Sequence, residues 1–250
     1  MSATAPDVPH LNEAQWLDLG TRAFRGLGLS AADAGAVARI LVTADLFGLS
    51  THGLSRIESY GERLQLGGIK ADAQVSVQPL APALCKVDGD NAVGPLVGMR
   101  ALEAAMQCAR ECGVGVALAR GSNHFGPISP YGLIAAEAGF ASIIGSNATT
   151  TIAPWGGSDA RLGNSPIGFG VPHPGGDPFL LDMAMSVVAR AKIRSALKAG
   201  QAIPQSWATD AQGRPTTDPA AALDGFLLPI GGHKGYGLAL MVDLLAGLLS

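Results

Sequence analysis

Charge is scarce in this chain and carries no strong bias: charged residues make up 15% of the sequence, with 17 Lys and Arg against 20 Asp and Glu. No run of basic residues is interleaved with aromatics, so the sequence offers no broad electropositive surface and nucleic acid is not expected as a partner. Cysteine is also rare. Cys85, Cys108 and Cys112 are an odd set with no second ligand pair near them, which predicts reduced, mostly buried thiols. Long apolar runs are missing. The most apolar segment, "YGLALMVDLLAGLLS", is too short to span a bilayer and carries Asp243, so it predicts a buried helix and no membrane span. The start, "MSATAPDVPHLNEAQWL", has neither the basic nor the apolar segment of a secretory signal, which points to the cytoplasm. Also absent are G-x-G-x-x-G, G-x-x-x-x-G-K-[ST], G-x-S-x-G and H-E-x-x-H. A dinucleotide bound here would not be held by a Rossmann fingerprint.

What is present is a core-forming composition, 48% hydrophobic, with 34 glycines and 16 prolines. The first seventy residues predict three helices: 13–27 before Gly28, 31–47 capped by Ser30 and stopped by Gly48, and 52–66 before Gly67. After Lys70 the pattern turns to short β-rich runs, "VSVQP", "LCKVDG", "GVGVALA", "ASIIGS" and "PFLLDMA". Helical stretches lie between them near 95–111, 130–138 and 187–198. The expected class is therefore α/β, with a helical region over 1–70 and an α/β domain over 71–250. Residues 147–177 predict a long irregular segment, ordered because Trp155, Ile167 and Phe169 can anchor it. The last helix starts near His233 and reaches Ser250 without a stop signal, which predicts an element that continues further.

Four stretches carry chemistry. In "LSTHGLSRIESY", with Ser50 or Thr51 as cap, His52, Arg56 and Tyr60 would fall on one helical stripe as an acid/base, a carboxylate fork and a phenol. A solvated helix face with an ordinary cap explains the same spacing. In "GSNHFGPISPYG", His124 sits in a polar turn between a strand and a helix, a natural cradle for an anion or cofactor, or equally a surface loop. In "LLDMAMSVVARAKI", Asp182 ends an apolar strand and Ser186 can cap a helix carrying Arg190 and Lys192. In "GGHKGYG", Lys234 and the glycines around it could approach a phosphate.

These motifs, with "LGNSPIGFGVP" between them, occur in order along nearly the whole chain, and together they resemble the malate/L-lactate dehydrogenase family of NAD(P)-dependent oxidoreductases. That family is unrelated to the Rossmann-type lactate and malate dehydrogenases. It also includes ureidoglycolate, sulfolactate and diketogulonate enzymes and cyclic ketimine reductases. The resemblance implies a helical N-terminal region and a mixed-sheet, non-Rossmann domain that binds NAD or NADP. It implies hydride transfer to or from a small 2-oxo or 2-hydroxy acid, and a homodimer. Carried over residue by residue, it makes His52 the proton donor and Arg56 the substrate contact, with Thr51 supplying the hydroxyl before the histidine. Tyr60 would hydrogen-bond the substrate and Asp45 would orient His52. Cofactor contacts would come from His124, Phe125, Gly126, Pro127 and Ile128, from Asp182, Met183, Ala184 and Arg190, and from Lys234 and Gly235. Lys192 stands near the position where ketimine reductases of the family carry a relay aspartate, which tells against the imine reading. Outside the resemblance, His52, His124, Asp182 and His233 lack the pair spacing of a metal-dependent hydrolase or lyase, so no metal ligand is assigned. A noncatalytic binding protein is the remaining alternative.

Overall fold

Short polar caps and left-handed glycines set the limits of the N-terminal helices in the computed structural model, which describes residues 10–250. Residues 1–9, the first part of the segment read for a leader, lie outside the described residues. Asn12 and Gln15 form a reciprocal capping box on α1 (Glu13–Gly26), and the Ser30 hydroxyl accepts the Asp33 N–H at the start of α2 (Ala31–Leu46). Gly28, Gly48 and Gly67 all take positive φ just past a helix end, where a side chain would be strained. All three stop positions agree with the sequence expectation.

The third helix differs. Ser50–His52 form a short 3-10 turn, and α3 spans Arg56–Gln65. Neither Ser50 nor Thr51 caps it, and α3 has no side-chain cap. The break is made by Asp45, whose Oδ2 accepts the Leu54 N–H at 2.7 Å, beside a Gly53 where a Cβ would stand 1.9 Å from Asp45 Oδ1. His52 therefore lies off the helical stripe that Arg56 and Tyr60 share.

Beyond α3, β1 (Ser76–Ala81), β2 (Leu84–Ala92) and β3 (Val116–Ser122) form one three-stranded sheet in that order, and α4 (Gly94–Cys112) joins the last two strands. The chain forms two compact units, and these elements run through the division. Of the described residues, the first unit holds those up to Val77 together with Val87–Arg100 and Gly121–Pro127. Its core includes Phe24, Ala34, Val37, Ala38, Ile40, Leu41, Ala44 and Tyr60, all buried.

The second unit holds Gln78–Lys86, Ala101–Arg120 and Ile128–Ser250. After α5 (Ser129–Glu137), β4 (Ser142–Gly145), β7 (Ile167–Val171) and β8 (Phe179–Met183) make an antiparallel sheet in the order β4-β7-β8. The pair β5 (Thr150–Ile152) and β6 (Leu162–Gly163) lies between, so the segment expected to be irregular contains strands. Ile152 and Leu162 anchor it in a core with Met185, Ile193, Ile203 and Leu227, and Ile167 packs at its edge. Trp155 and Phe169, expected as anchors, are exposed instead.

Two helices, α6 (Arg190–Lys198) and α7 (Pro219–Asp224), follow. Ser186 does not cap α6, whose N-cap is Ala189; the Ser186 hydroxyl donates to the Val188 carbonyl. The last helix, α8 (His233–Asp243), changes to a π-helical turn over Leu244–Leu248, so the expected continuous helix to Ser250 is not formed. The cysteines are free, but only Cys85 is buried, which corrects the expectation for Cys112, exposed, and Cys108, half-buried.

Replacing Ser30 by Ala should cost about 1 kcal/mol, since it removes the acceptor for one amide at the start of α2. A urea denaturation midpoint that does not move would show that this cap contributes nothing.

Candidate active site

Within the first unit, α3, the 3-10 turn and the segment after β3 bring two histidines, a tyrosine and an arginine together. Tyr60 is buried on α3, and its hydroxyl lies 2.6 Å from His124 Nδ1 and donates to the His124 carbonyl at 3.2 Å. Both contacts are hydrogen bonds at once only when Nδ1 carries the ring proton, because a phenol has one hydrogen to give. The rings of His52 and His124 stand 5.5 Å apart, and Thr51 Oγ1 lies 2.9 Å from His52 Nδ1. Arg56 opens α3, and its Nε is a buried donor with no hydrogen-bond partner.

The electrostatics keep the Tyr60–His124 pair neutral. Burial pushes the Tyr60 phenol up to about 12, with Arg56 and Arg63 opposing. His124 is pushed down to about 4, first by burial of the imidazole, which disfavours its charged form, and then by electrostatic repulsion from Arg56, His52 and Arg63. As a residue His124 is exposed, so solvent screens part of that repulsion, while Nδ1 faces the buried Tyr60 hydroxyl.

The sequence reading separated these side chains, giving Tyr60 to the substrate and His124 to the cofactor. The structure puts both in one cluster with His52 and Arg56, and engages the Tyr60 hydroxyl with His124. Asp45 acts on the turn before α3 through the Leu54 amide. Residues that sequence reasoning passed over complete the surroundings: Asn123 Nδ2 donates to Asn91 and Ala92, and Arg63 donates to Asn123 Oδ1 at 2.8 Å. The two non-glycine residues with positive φ among the described residues, Asp90 and Asn91, were the available signal, in the turn-forming string "DGDNA".

In the second unit, Asp182 Oδ2 accepts the amides of Ile128 and Ser129 at 2.8 and 2.9 Å. The amides expected to cradle an anion at the start of α5 are thus already held by a carboxylate. Met183 closes β8, with Ala184 next in the chain. Arg190 donates to the Leu223 carbonyl on α7. Lys234 is exposed and Gly235 buried in the first turn of α8, whose N-cap is Gly232 with no side-chain cap. Those helix-end amides have no side-chain acceptor, which fits an anionic phosphate beside a lysine. Among the described residues, no three His, Cys, Asp or Glu side chains converge as a metal-ligand set.

Comparison with known proteins places this chain in a family. Residues 11–250 match the model of the family described as malate/L-lactate dehydrogenase. The chain is 40% identical over 237 residues to a malate dehydrogenase of Pyrococcus horikoshii, covering 92% of this chain and 66% of that protein. It is 41% identical over 240 residues to a (2R)-3-sulfolactate dehydrogenase (NADP(+)) of Chromohalobacter salexigens, covering 95% of this chain and 71% of that one. The crystal structure of a delta1-piperideine-2-carboxylate reductase from Pseudomonas syringae superposes with a TM-score of 0.91 at 33% identity, covering 97% of this chain and 73% of that one. The chain spans about two thirds of the length of the curated relatives it matches.

Folding should weaken at both pH extremes for identifiable reasons. The unfolded chain takes a proton on His124 near the ordinary histidine value of 6.5, and the folded chain only near about 4, so stability falls as pH drops through that window. Tyr60 ionises near 10 when unfolded and near about 12 when folded, so its contribution is lost as pH rises from 10 to 12. Tyr60→Phe should lower stability at pH 7 by about 1 kcal/mol through the lost hydrogen bond and should abolish the alkaline effect. An unchanged alkaline limb in urea denaturation would contradict this assignment.

Proposed function

This chain belongs to the malate/L-lactate dehydrogenase family, and from that premise we propose that it is an NAD(P)-dependent oxidoreductase. It moves a hydride between the nicotinamide and C2 of a small 2-oxo or 2-hydroxy acid. The observation that carries the reading is Arg56 Nε, a buried donor with no acceptor, on the same helix as Tyr60 and in the cluster of the two histidines. An unmet buried donor is costly unless something outside the chain completes it, and a carboxylate is the group that a guanidinium fork holds best. The relatives named for malate and sulfolactate support the same substrate class.

When bound, the cofactor supplies or accepts the hydride. Lys234, Gly235 and the amides at the start of α8 would hold its phosphates, and Asp182, Met183, Ala184 and Arg190 of the same unit would give further contacts. The segment His124–Ile128 would contribute as well, with Asp182 holding the amides of Ile128 and Ser129. The other tasks fall to the first unit. Arg56 fixes the substrate carboxylate, which places the neighbouring C2 oxygen within reach of a proton donor. His124, held neutral, has no proton to spare near pH 7, so His52 gives the proton to the C2 oxygen during reduction and takes it back during oxidation. With Nδ1 against Thr51, the transfer is assigned to His52 Nε2. The helical region to residue 70 thus supplies the acid, and residues 71–250 supply the cofactor site.

Cyclic imine acids are the second substrate class, favoured by the likeness to the piperideine-carboxylate reductase, since they also carry a carboxylate next to the reducible carbon. A cytoplasmic homodimer completes the proposal. The exposed Ile143, Phe169 and Leu181, paired across β4, β7 and β8, form an apolar row of the kind that partners cover.

A panel of 2-oxo acids and cyclic imine acids with NADH and NADPH, followed by nicotinamide absorbance, tests the reading. Turnover of at least one 2-oxo acid is expected; oxidation of neither nucleotide by any member contradicts it. Arg56→Lys should raise KM for the oxo acid far more than for the nucleotide, a loss on the order of 2 kcal/mol, since an ammonium does not reproduce the fork. His52→Ala should lower kcat by roughly a hundredfold with nucleotide binding intact. Equal effects of Arg56→Lys on both KM values would remove Arg56 from the substrate site.

A further inference from the structure

We propose that the left-handed corner at Asp90–Asn91 is a positioning device for His124 and that Asn123 is the residue through which it acts. The inference rests on the reading above that His124 belongs to the active site. Asp90 and Asn91 adopt φ of 46° and 62° in succession at the end of β2, a conformation that side-chain-bearing residues occupy rarely and that a fold keeps only when its surroundings enforce it. Here the surroundings do so. The Lys70 amide donates to the Asn91 carbonyl at 3.0 Å, Asn91 Nδ2 donates to the Gly68 carbonyl, and the Gln74 amide donates to Asp90 Oδ2. Lys70 Nζ donates to Asp90 Oδ1 at 2.5 Å.

The corner turns three oxygens toward one point. Asn91 O, Asn91 Oδ1 and Ala92 O lie 3.2, 2.9 and 2.9 Å from the single nitrogen Asn123 Nδ2. An amide NH2 has two hydrogens, so three acceptors hold it without an unused donor direction. The other end of the same side chain, Oδ1, accepts from Arg63. Asn123 is therefore clamped at both ends, and it is the residue before His124 in the chain.

Two further contacts fix the next peptide. A Cβ on Gly94 would lie 2.1 Å from the His124 carbonyl oxygen and 2.5 Å from that of Asn123, so the start of α4 meets this backbone at a distance that only glycine permits. The Tyr60 hydroxyl then holds both the His124 carbonyl and its Nδ1. With backbone and Nδ1 both set, the direction of His124 Nε2 is determined by Asn123, which the corner clamps, together with Gly94 and Tyr60.

One of the charges facing His124 is held by the same clamp. His52 comes from the 3-10 turn, and Arg56 and Arg63 come from α3, along with the neutral Tyr60; each of the first three disfavours protonation of the imidazole. Arg63 is held by Asn123 Oδ1, so Asn123 sets both the orientation of the ring and the distance of one of the charges acting on it.

The test is the titration of His124 by NMR in the full chain, beside kcat and both KM values, for Asn123→Ala, Asn91→Gly and Asn91→Asp. Both Asn91 variants lose the Nδ2 donor to Gly68; Asn91→Gly adopts the left-handed corner freely but also deletes the Oδ1 acceptor, whereas Asn91→Asp keeps that acceptor in a residue that tolerates positive φ. Asn123→Ala is expected to raise the His124 pKa by about one unit or more and to lower kcat about tenfold with KM for the nucleotide unchanged. Asn91→Gly should shift both in the same direction by less, and Asn91→Asp, whose added carboxylate raises the His124 pKa by itself, should keep kcat near the wild-type value. Unchanged His124 titration in folded Asn123→Ala and Asn91→Gly overturns the proposal, as does an Asn91→Asp variant whose kcat falls as far as that of Asn91→Gly. Because the NMR titration needs no turnover, an inactive wild-type protein would count against the proposed function and leave this inference still decidable.

Discussion

The hydrogen bond between the Tyr60 hydroxyl and His124 Nδ1 is the contact on which the first unit is organised. It joins a buried residue on α3 to a segment 64 positions later in the chain, and both partners are neutral. A charged pair in this place would have to overcome the desolvation of two ions. A phenol and an imidazole do not, and their strong pKa shifts in opposite directions keep them so. Most of the nearby architecture serves that bond. The Phe24 ring of the capped α1 packs beside Tyr60, Asp45 ends the turn before α3, and Gly94 allows α4 to begin against the His124 backbone.

Beside the neutral pair stands the Arg56 guanidinium, with an unmet donor, and His52 on its separate turn. Neutral and cationic groups thus have different tasks in the proposed chemistry. The arginine attracts and orients an acid, the turn histidine moves a proton, and the Tyr60–His124 pair keeps a fixed, uncharged wall beside them. In the second unit Asp182 has the corresponding structural task, binding the first amides of α5 from β8.

Much of the fold was legible in local signals. Ser30, Gly28, Gly48 and Gly67 mark helix ends because capping hydroxyls and left-handed glycines act within a few residues, and the β-rich runs coincide with β1, β2, β3, β4 and β8. The start of α3 was not legible, because the group that breaks the helix there is Asp45, reaching Leu54 from the preceding helix. For the same reason His52 looked like a member of a stripe that it does not share. The candidate residues His52, Arg56, Tyr60 and His124 could each be named from their motifs, but their grouping could not, since the Tyr60–His124 contact spans 64 residues and involves no periodicity. Asn123 lay inside a quoted motif, yet its role depends on Asn91, and only the backbone angles at Asp90 and Asn91 mark that corner as unusual.

The account stands on the claim that Arg56 Nε is unmet because it belongs to a substrate carboxylate. A crystal structure of the protein with a nicotinamide nucleotide and oxamate, an unreactive isostere of a small 2-oxo acid, addresses that claim directly. The account predicts a carboxylate oxygen of oxamate within hydrogen-bond distance of Arg56 Nε, with the adjacent carbonyl oxygen turned toward His52. Oxamate bound elsewhere, with Arg56 Nε still buried and unpaired, would contradict it.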